Sequence, residues 1–343
     1  ALEMRSKAYH RRKESMNYVG ISKLLTELKR TNRYQWLKDA TAGCLTQKLI
    51  DLDKAYKAFF DKVAKYPRFK KRTDKQSVRY QLDQRQVMKN YMPGKLLKIT
   101  KLGALKVKWS RMPKGIPKMA TISKKPSGEY YICLSVEEDV KAKPKLDMMV
   151  AIDRGIKDMF VTDGGYATGS PKHTDTYALK LAKAQRKLAK RVKGSGRWNK
   201  QRIKVARIHK KIADSRRDFI HKETTKLIDK NQVIILEDLN VSGMMKNRKL
   251  SKGIADASWR EIHRQLLYKA RWYGREIHLV DRWFPSSQLC SSCGYRNRKL
   301  VLDDRKWTCP KCGDNHHRDI NAAKNMINAY RGQHGNERTR RVA

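Results

Sequence analysis

The sequence predicts a multi-domain α+β protein: a helical front, a small antiparallel sheet or barrel, and an α/β domain interrupted by a four-cysteine ribbon. Three observations predict it. Apolar spacing changes from helical to alternating near residue 67. Near residue 147 it changes again, to buried strands separated by long helices. Late in the chain, Cys290, Cys293, Cys309 and Cys312 form two C-x-x-C pairs. At a prior of about 150 residues per domain, a chain of 343 residues has room for two or three domains.

Residues 19–65 read as helices. Ile21, Leu24, Leu25 and Leu28 fall at helical spacing, and Leu45, Leu49, Leu52, Ala55, Phe59, Phe60 and Val63 form a second stripe. Tyr66-Pro67 ends this region. Residues 68–144 then carry short alternating segments at 96–99, 105–109, 119–122 and 130–136, with a hairpin turn at Ser127-Gly128. A lysine- and proline-bearing stretch at 141–145 reads as a linker. Beyond it, 148–153 is a buried strand ending in Asp153, and 159–162 is a second strand followed by an Asp163-Gly164-Gly165 turn. Two long basic helices, 177–191 and 202–229, flank Gly194-Ser195-Gly196. A strand at 233–236 runs into Glu237. The polar, glycine-bearing stretch 243–257 reads as a candidate lid. A helix at 258–273, a strand at 277–280, the ribbon and a helix at 319–330 complete the order.

The 80 Lys+Arg against 33 Asp+Glu give a formal charge of +47. Self-repulsion on that scale opposes compaction, so a polyanion is the expected partner, nucleic acid first and an anionic membrane second. The 39% hydrophobic content is too high for a disordered polycation. No run of 18 apolar residues and no signal peptide are present, which points away from a spanning or secreted protein and toward the cytoplasm. The surplus of base on the helical pair 177–229 exceeds what solubility needs, which favours a nucleic-acid-facing hairpin over a merely solvated one.

Four clustered thiols in such a chain read as a zinc site rather than a disulfide framework. Each C-x-x-C turn presents two thiolates to one side, and two turns close a four-sulfur shell. Gly294 and Gly313 follow the second cysteine of each pair, where the turn needs backbone freedom. Cys44 and Cys133 stand apart and are expected to be small buried hydrophobes.

Asp153 and Glu237 end buried strands and Asp319 opens a helix. Acids delivered to one sheet edge can hold two divalent cations about 3.5–4 Å apart, the arrangement that activates water and stabilises the leaving oxygen in phosphodiester hydrolysis. Each has an ordinary alternative as a turn-former or helix cap. Asp158, Asp163, Asp238 and Asp281 compete for the same role, and spacing alone does not choose among them.

The segments Ala151-Ile152-Asp153-Arg154-Gly155-Ile156-Lys157-Asp158 and Leu236-Glu237-Asp238-Leu239 carry a resemblance to a known family. So do Phe284-Pro285-Ser286-Ser287-Gln288-Leu289-Cys290-Ser291-Ser292-Cys293-Gly294, Trp307-Thr308-Cys309-Pro310-Lys311-Cys312-Gly313 and Arg318-Asp319-Ile320-Asn321-Ala322-Ala323. Together, in this order, they resemble the TnpB family of transposon-encoded RNA-guided nucleases, relatives of the compact type V CRISPR effectors. The resemblance implies a helical recognition lobe (1–66), a wedge-type β-barrel (67–146) and a RuvC-like nuclease domain of RNase H fold (147–285 and 315–343, the latter with a basic tail). A zinc ribbon (286–314) would lie within that domain. Asp153, Glu237 and Asp319 match the family's magnesium- or manganese-binding catalytic triad, and Cys290, Cys293, Cys309 and Cys312 its zinc ligands. The implied partners are a guide RNA of the omega type and double-stranded target DNA bearing a short flanking motif, with no membrane partner. The implied setting is prokaryotic cytoplasm, at the nucleoid. The first barrel strand and first helix usual in the family are implied to precede residue 1. Arg154 stands where the family often has an apolar residue, a departure read as harmless.

Guide pairing would then supply sequence specificity while the protein grips the heteroduplex by phosphates and shape. Trp198, Trp259, Trp272, Tyr273 and Trp283 are candidate base stackers, with core packing the alternative for most. His316 and His317, just before Asp319, are candidates to touch the scissile phosphate or to be ordinary loop residues. Two other functions compete: a guide-independent transposase or structure-specific nuclease, and a non-catalytic nucleic-acid binder whose acids are structural.

Overall fold

A computed structural model describes residues 1–71, 73–82, 91–92, 96–301 and 303–340. The chain is a multi-domain α+β protein that divides into two units, Ala1–Asp139 and Val140–Ala343.

The first unit begins with helices α1 (Leu2–Arg12), α2 (Tyr18–Leu28) and α3 (Ala42–Phe60), with a 3-10 helix at Asn32–Lys38 between the last two. Asn17 caps α2 by accepting from the Gly20 N–H at 3.1 Å, and Thr41 caps α3 by accepting from the Cys44 N–H at 3.3 Å. Six strands follow: β1 (Gln76–Gln81), β2 (Tyr91–Met92), β3 (Leu96–Ile99), β4 (Gly103–Lys106), β5 (Met119–Lys124) and β6 (Tyr130–Ser135). They form two three-stranded antiparallel sheets, ordered β1-β5-β6 and β2-β3-β4. The expected barrel therefore does not close among the described residues. The sheets meet through side chains instead: Leu82, Leu97, Ile99 and Ala120 share one buried cluster, so the joint is packing rather than a continuous ladder.

The expected turn at Ser127-Gly128 joins β5 to β6, with Gly128 at φ +85°. Cys44 is buried and its Sγ lies 3.0 Å from the Arg79 carbonyl. Cys133 corrects the expectation of burial: Ile132 and Leu134 turn into the core, so the residue between them faces outward and is exposed.

The second unit is built on a four-stranded sheet of β7 (Met149–Asp153), β8 (Val161–Thr162), β9 (Val233–Glu237) and β10 (Glu276–Val280), ordered β10-β9-β7-β8. β7, β9 and β10 are parallel and β8 is antiparallel to β7. Parallel neighbours need long crossovers. Helices α4 (Ala178–Ala189) and α5 (Gly196–Lys230) supply the first, α6 (Arg248–Ala257) and α7 (Trp259–Tyr273) the second. Ser195 stops the preceding turn and caps α5, its Oγ accepting from the Trp198 N–H at 3.1 Å. Two ribbon strands, β11 (Lys306–Thr308) and β12 (Asn315–His317), precede helix α8 (Arg318–Arg340).

Both faces of the central strands β7 and β9 are covered, which is why these two are apolar up to their closing acids. Val150, Ile152, Ile234 and Leu236 face α5, α6 and α7, packing with Ile220, Ile228, Ile254, Trp259, Ile262 and Leu266. Ala151, Val233, Ile235 and Val280 face α8 through Ala323, Met326 and Ile327. This alternation decides where the strand-end acids point. The stretch expected to act as a lid is helical. Ile254 and Ala257 of α6 lie in the main core, and Asp256 of α6 is ion-paired with Arg216 of α5. Its polar look comes from a helix that buries one narrow side. Among the described residues, no helix is long and apolar enough to cross a membrane.

Candidate active site and four-cysteine ribbon

Asp153 and Glu237 are the last residues of β7 and β9. Ile152 pairs with Leu236, so the two acids come next to each other at the carboxyl edge of the sheet. In open α/β sheets that edge is where ligands bind. Both acids continue the odd-numbered face that α8 covers, and Asp319 lies in the first turn of α8. The three carboxylates interact. Burial, then the charge of Glu237, then that of Asp319 push the Asp153 carboxyl up to about 8. A trio that costs this much to ionise together is the donor set expected of hard divalent cations, whose charge offsets the repulsion.

Surrounding groups fix the acids. Ser286 Oγ donates to Glu237 Oε1 at 2.7 Å, and Arg305 Nη1 lies 3.3 Å from both carboxylate oxygens of Asp319. Arg154 donates from Nη2 to the main-chain carbonyl of Glu237 and is 8% exposed. The sequence marks no role for Ser286 or Arg305, and Arg154 reads there as a harmless departure, because each acts across more than a dozen residues of chain.

The competing acids have other work. Asp163 accepts from the Ala151 N–H at 3.0 Å and Asp158 from the Gly169 N–H at 3.1 Å. Asp281 accepts from the Trp283 N–H at 2.8 Å, and Asp238 pairs with Arg282 at the surface. Trp259 is buried and its indole N–H donates to the Gly155 carbonyl at 3.1 Å, while Tyr273 packs beside the same core. Trp198 is half-buried. Trp272 is 47% exposed and Trp283 84%. Trp283 follows β10, whose Val280 pairs with Glu237, and it precedes Ser286, so it stands on the segment that reaches the acids.

The ribbon consists of two matched knuckles. Gly294 and Gly313, at φ +73° and +78°, donate N–H bonds of 2.9 Å to the Cys290 and Cys309 carbonyls. The Sγ atoms of Cys290, Cys293, Cys309 and Cys312 all lie within 4.8 Å of one another, with Cys290–Cys312 and Cys293–Cys309 at 3.6 Å. A zinc ion bound tetrahedrally at about 2.3 Å requires sulfurs about 3.8 Å apart, and a disulfide about 2.0 Å, so the arrangement fits the ion. His316 Nε2 is 3.0 Å from Cys290 Sγ and its half-buried ring packs on Trp307, which places it against the cysteine cluster. His317 is exposed.

The ribbon is tied to α8 by asparagines at helical spacing. Asn321 Nδ2 donates to the Leu289 carbonyl at 2.6 Å, Asn325 to the Ser286 carbonyl at 2.8 Å, and Asn328 to the Ser291 carbonyl at 3.1 Å. The period 321, 325, 328 was open to sequence reading, whereas the acceptors are main-chain groups that no residue pattern marks.

Comparison with known proteins agrees with this architecture. Residues 131–248 match a family model described as "Probable transposase" (OrfB_IS605), and residues 259–326 match a Cas12f1-like TNB domain. A Streptomyces pristinaespiralis protein provisionally named an RNA-guided DNA endonuclease is 40% identical over 96% of this chain and 81% of its own length. The Escherichia coli K12 protein InsQ, named in the same way, is 33% identical over 91% of this chain and 80% of its own. The fold is similar to that of Cas12f1 in a cryo-EM structure with sgRNA and target DNA, with a TM-score of 0.56 and 14% identity, covering 95% of this chain and 78% of that one. Identity of this order across nearly the whole sequence, together with both family models, means that the chain belongs to the TnpB-like OrfB/IS605 family.

Proposed function

We propose that the protein is an RNA-guided DNA endonuclease that hydrolyses target-DNA phosphodiesters at Asp153, Glu237 and Asp319. The observation carrying this reading is the convergence of three interacting carboxylates at the carboxyl edge of a parallel sheet. The sheet order and the helix bearing the third acid support a RuvC-like domain of RNase H type. Magnesium or manganese bound there would supply a metal-activated water and stabilise the leaving oxygen. The protein's own contribution is orientation: Ser286 fixes the Glu237 carboxylate, and Arg305 holds Asp319 on the first turn of α8. Zinc held by Cys290, Cys293, Cys309 and Cys312 would be structural, since four thiolates leave no exchangeable position.

The relatives' names support guide RNA and target DNA as partners, and a net charge of +47 gives both a physical reason to bind. The basic pair α4 and α5 is the second unit's candidate surface for that charge, and DNA as substrate would place the protein at the nucleoid. Protein purified from its host at moderate salt is expected to carry a discrete RNA and to cut duplexes matched to it. Cleavage without any retained RNA would return the reading to a guide-free transposase or structure-specific nuclease. Binding without cleavage would return it to a non-catalytic binder.

Trp283 is the candidate stacking platform for the strand entering the site. Stacking contributes roughly 1–3 kcal/mol per base. Trp283→Ala is therefore expected to slow cleavage about ten-fold with RNA retention unchanged, as measured by single-turnover cutting of a matched target. An unaltered rate would remove Trp283 from the DNA path.

A further inference from the structure

The buried cation beside the acids is unusual. Arg154 follows Asp153 directly, one residue past the end of β7. Asp153 faces α8. Arg154 lies on the side of α7, where its charge acts on His263. From there the guanidinium reaches across to the Glu237 carbonyl and bridges the ends of β7 and β9. It interacts with Glu237, Asp153 and Asp238, in that order of strength, while Arg318 at the start of α8 acts on Asp153 from the other side and more strongly. Its Nε is buried with no hydrogen-bond partner among the described residues. Desolvating a guanidinium and leaving one donor unpaired is costly, so packing alone does not account for an arginine here.

We propose that Arg154 is a positioning residue that acts as the internal counter-cation of the acidic site, aligning the two strand-end acids before metal binds and limiting how tightly the metal is then held. This rests on the metal-binding reading of Asp153, Glu237 and Asp319. The charge offsets repulsion within the acidic group while no ion is bound. Once a divalent cation enters, the same charge opposes it from the far side of the sheet.

Manganese(II) binding to the full-length, zinc-loaded protein, measured by electron paramagnetic resonance and calorimetry, tests the proposal. Arg154→Gln keeps a donor for the Glu237 carbonyl and loses the charge. Its manganese dissociation constant is expected to fall at least roughly ten-fold. Arg154→Lys keeps the charge and should stay within about three-fold of the parent. Arg154→Met, a second neutral variant, should tighten binding as the Gln variant does. Unchanged or weaker binding in both neutral variants would overturn the counter-cation role. So would neutral variants that stay unfolded even with manganese present, because the arginine would then be a structural clamp. The Asp153→Ala protein separates the two ideas: if it binds manganese as the parent does, the metal-site reading itself fails, whatever Arg154 does.

Discussion

Replacing Asp153 with alanine is expected to abolish cleavage of a guide-matched DNA duplex in magnesium, a loss of at least ~10³-fold, while RNA retention and target binding stay within about two-fold. The size follows from the proposed role. Metal-assisted stabilisation of transition-state charge is worth several kcal/mol, and each 1.36 kcal/mol is about ten-fold in rate. The structural alternative predicts something different. If Asp153 only closed a turn, its loss would lower stability by about 0.5–2 kcal/mol and leave the chemistry alone. Asp153 is instead pushed upward by burial and by Glu237 and Asp319, so in metal-free buffer the side chain is a liability to the fold. The variant should therefore melt no lower than the parent in chelator and lose the parent's thermal stabilisation by magnesium. Thermal melts with and without magnesium, beside single-turnover cleavage, distinguish the cases. Intact cleavage, or a lower melting point in chelator, would place Asp153 outside the metal site.

The strands that carry the first two acids were legible because both their faces are buried: Val150-Ala151-Ile152 and Val233 to Leu236 are uninterrupted apolar runs, each closed by a carboxylate. Period-two alternation then aims Asp153 and Glu237 at the same helix. β1 was not legible. Gln76 to Gln81 is a partly exposed strand on the edge of its sheet, and although Val78 and Tyr80 alternate with Ser77, Arg79 and Gln81, two half-buried apolar residues in a mostly polar segment make a weak signal. The helix α6 was missed for the related reason that Ile254 and Ala257 alone anchor it in the core. The cysteine ribbon was fully marked by covalent spacing, but its attachment to α8 was not, since it runs through the carbonyls of Ser286, Leu289 and Ser291. Arg154 shows the limit of pattern matching. A residue judged harmless by its place in a motif turns out to be a buried guanidinium joining two acid-bearing strand ends, which only the parallel register of β7 and β9 reveals.

That attachment gives the second large effect, in which loss of the ribbon metal disables a site that contains none of its ligands. Changing Cys290 and Cys293 to serine is expected to remove bound zinc, from one equivalent to none by elemental analysis, because serine does not replace thiolate in a four-sulfur shell. Zinc binding in small ribbons supplies on the order of 10–16 kcal/mol of apparent folding free energy, and a segment this short has little core besides Trp307 and the cysteines themselves. The ribbon should then unfold. Arg305, which precedes β11, would no longer hold Asp319, and the Leu289 and Ser291 carbonyls would leave Asn321 in the first turn of α8 and Asn328 further along it. Cleavage is expected to fall about 10²-fold or more even though Asp153, Glu237 and Asp319 are unchanged. Arg305→Ala, with zinc retained, should reproduce part of that loss and so isolate the contact from the unfolding. Stoichiometric zinc in the double serine variant would sink the ligand assignment. Zinc loss with full cleavage would show instead that Asp319 is held without help from the ribbon.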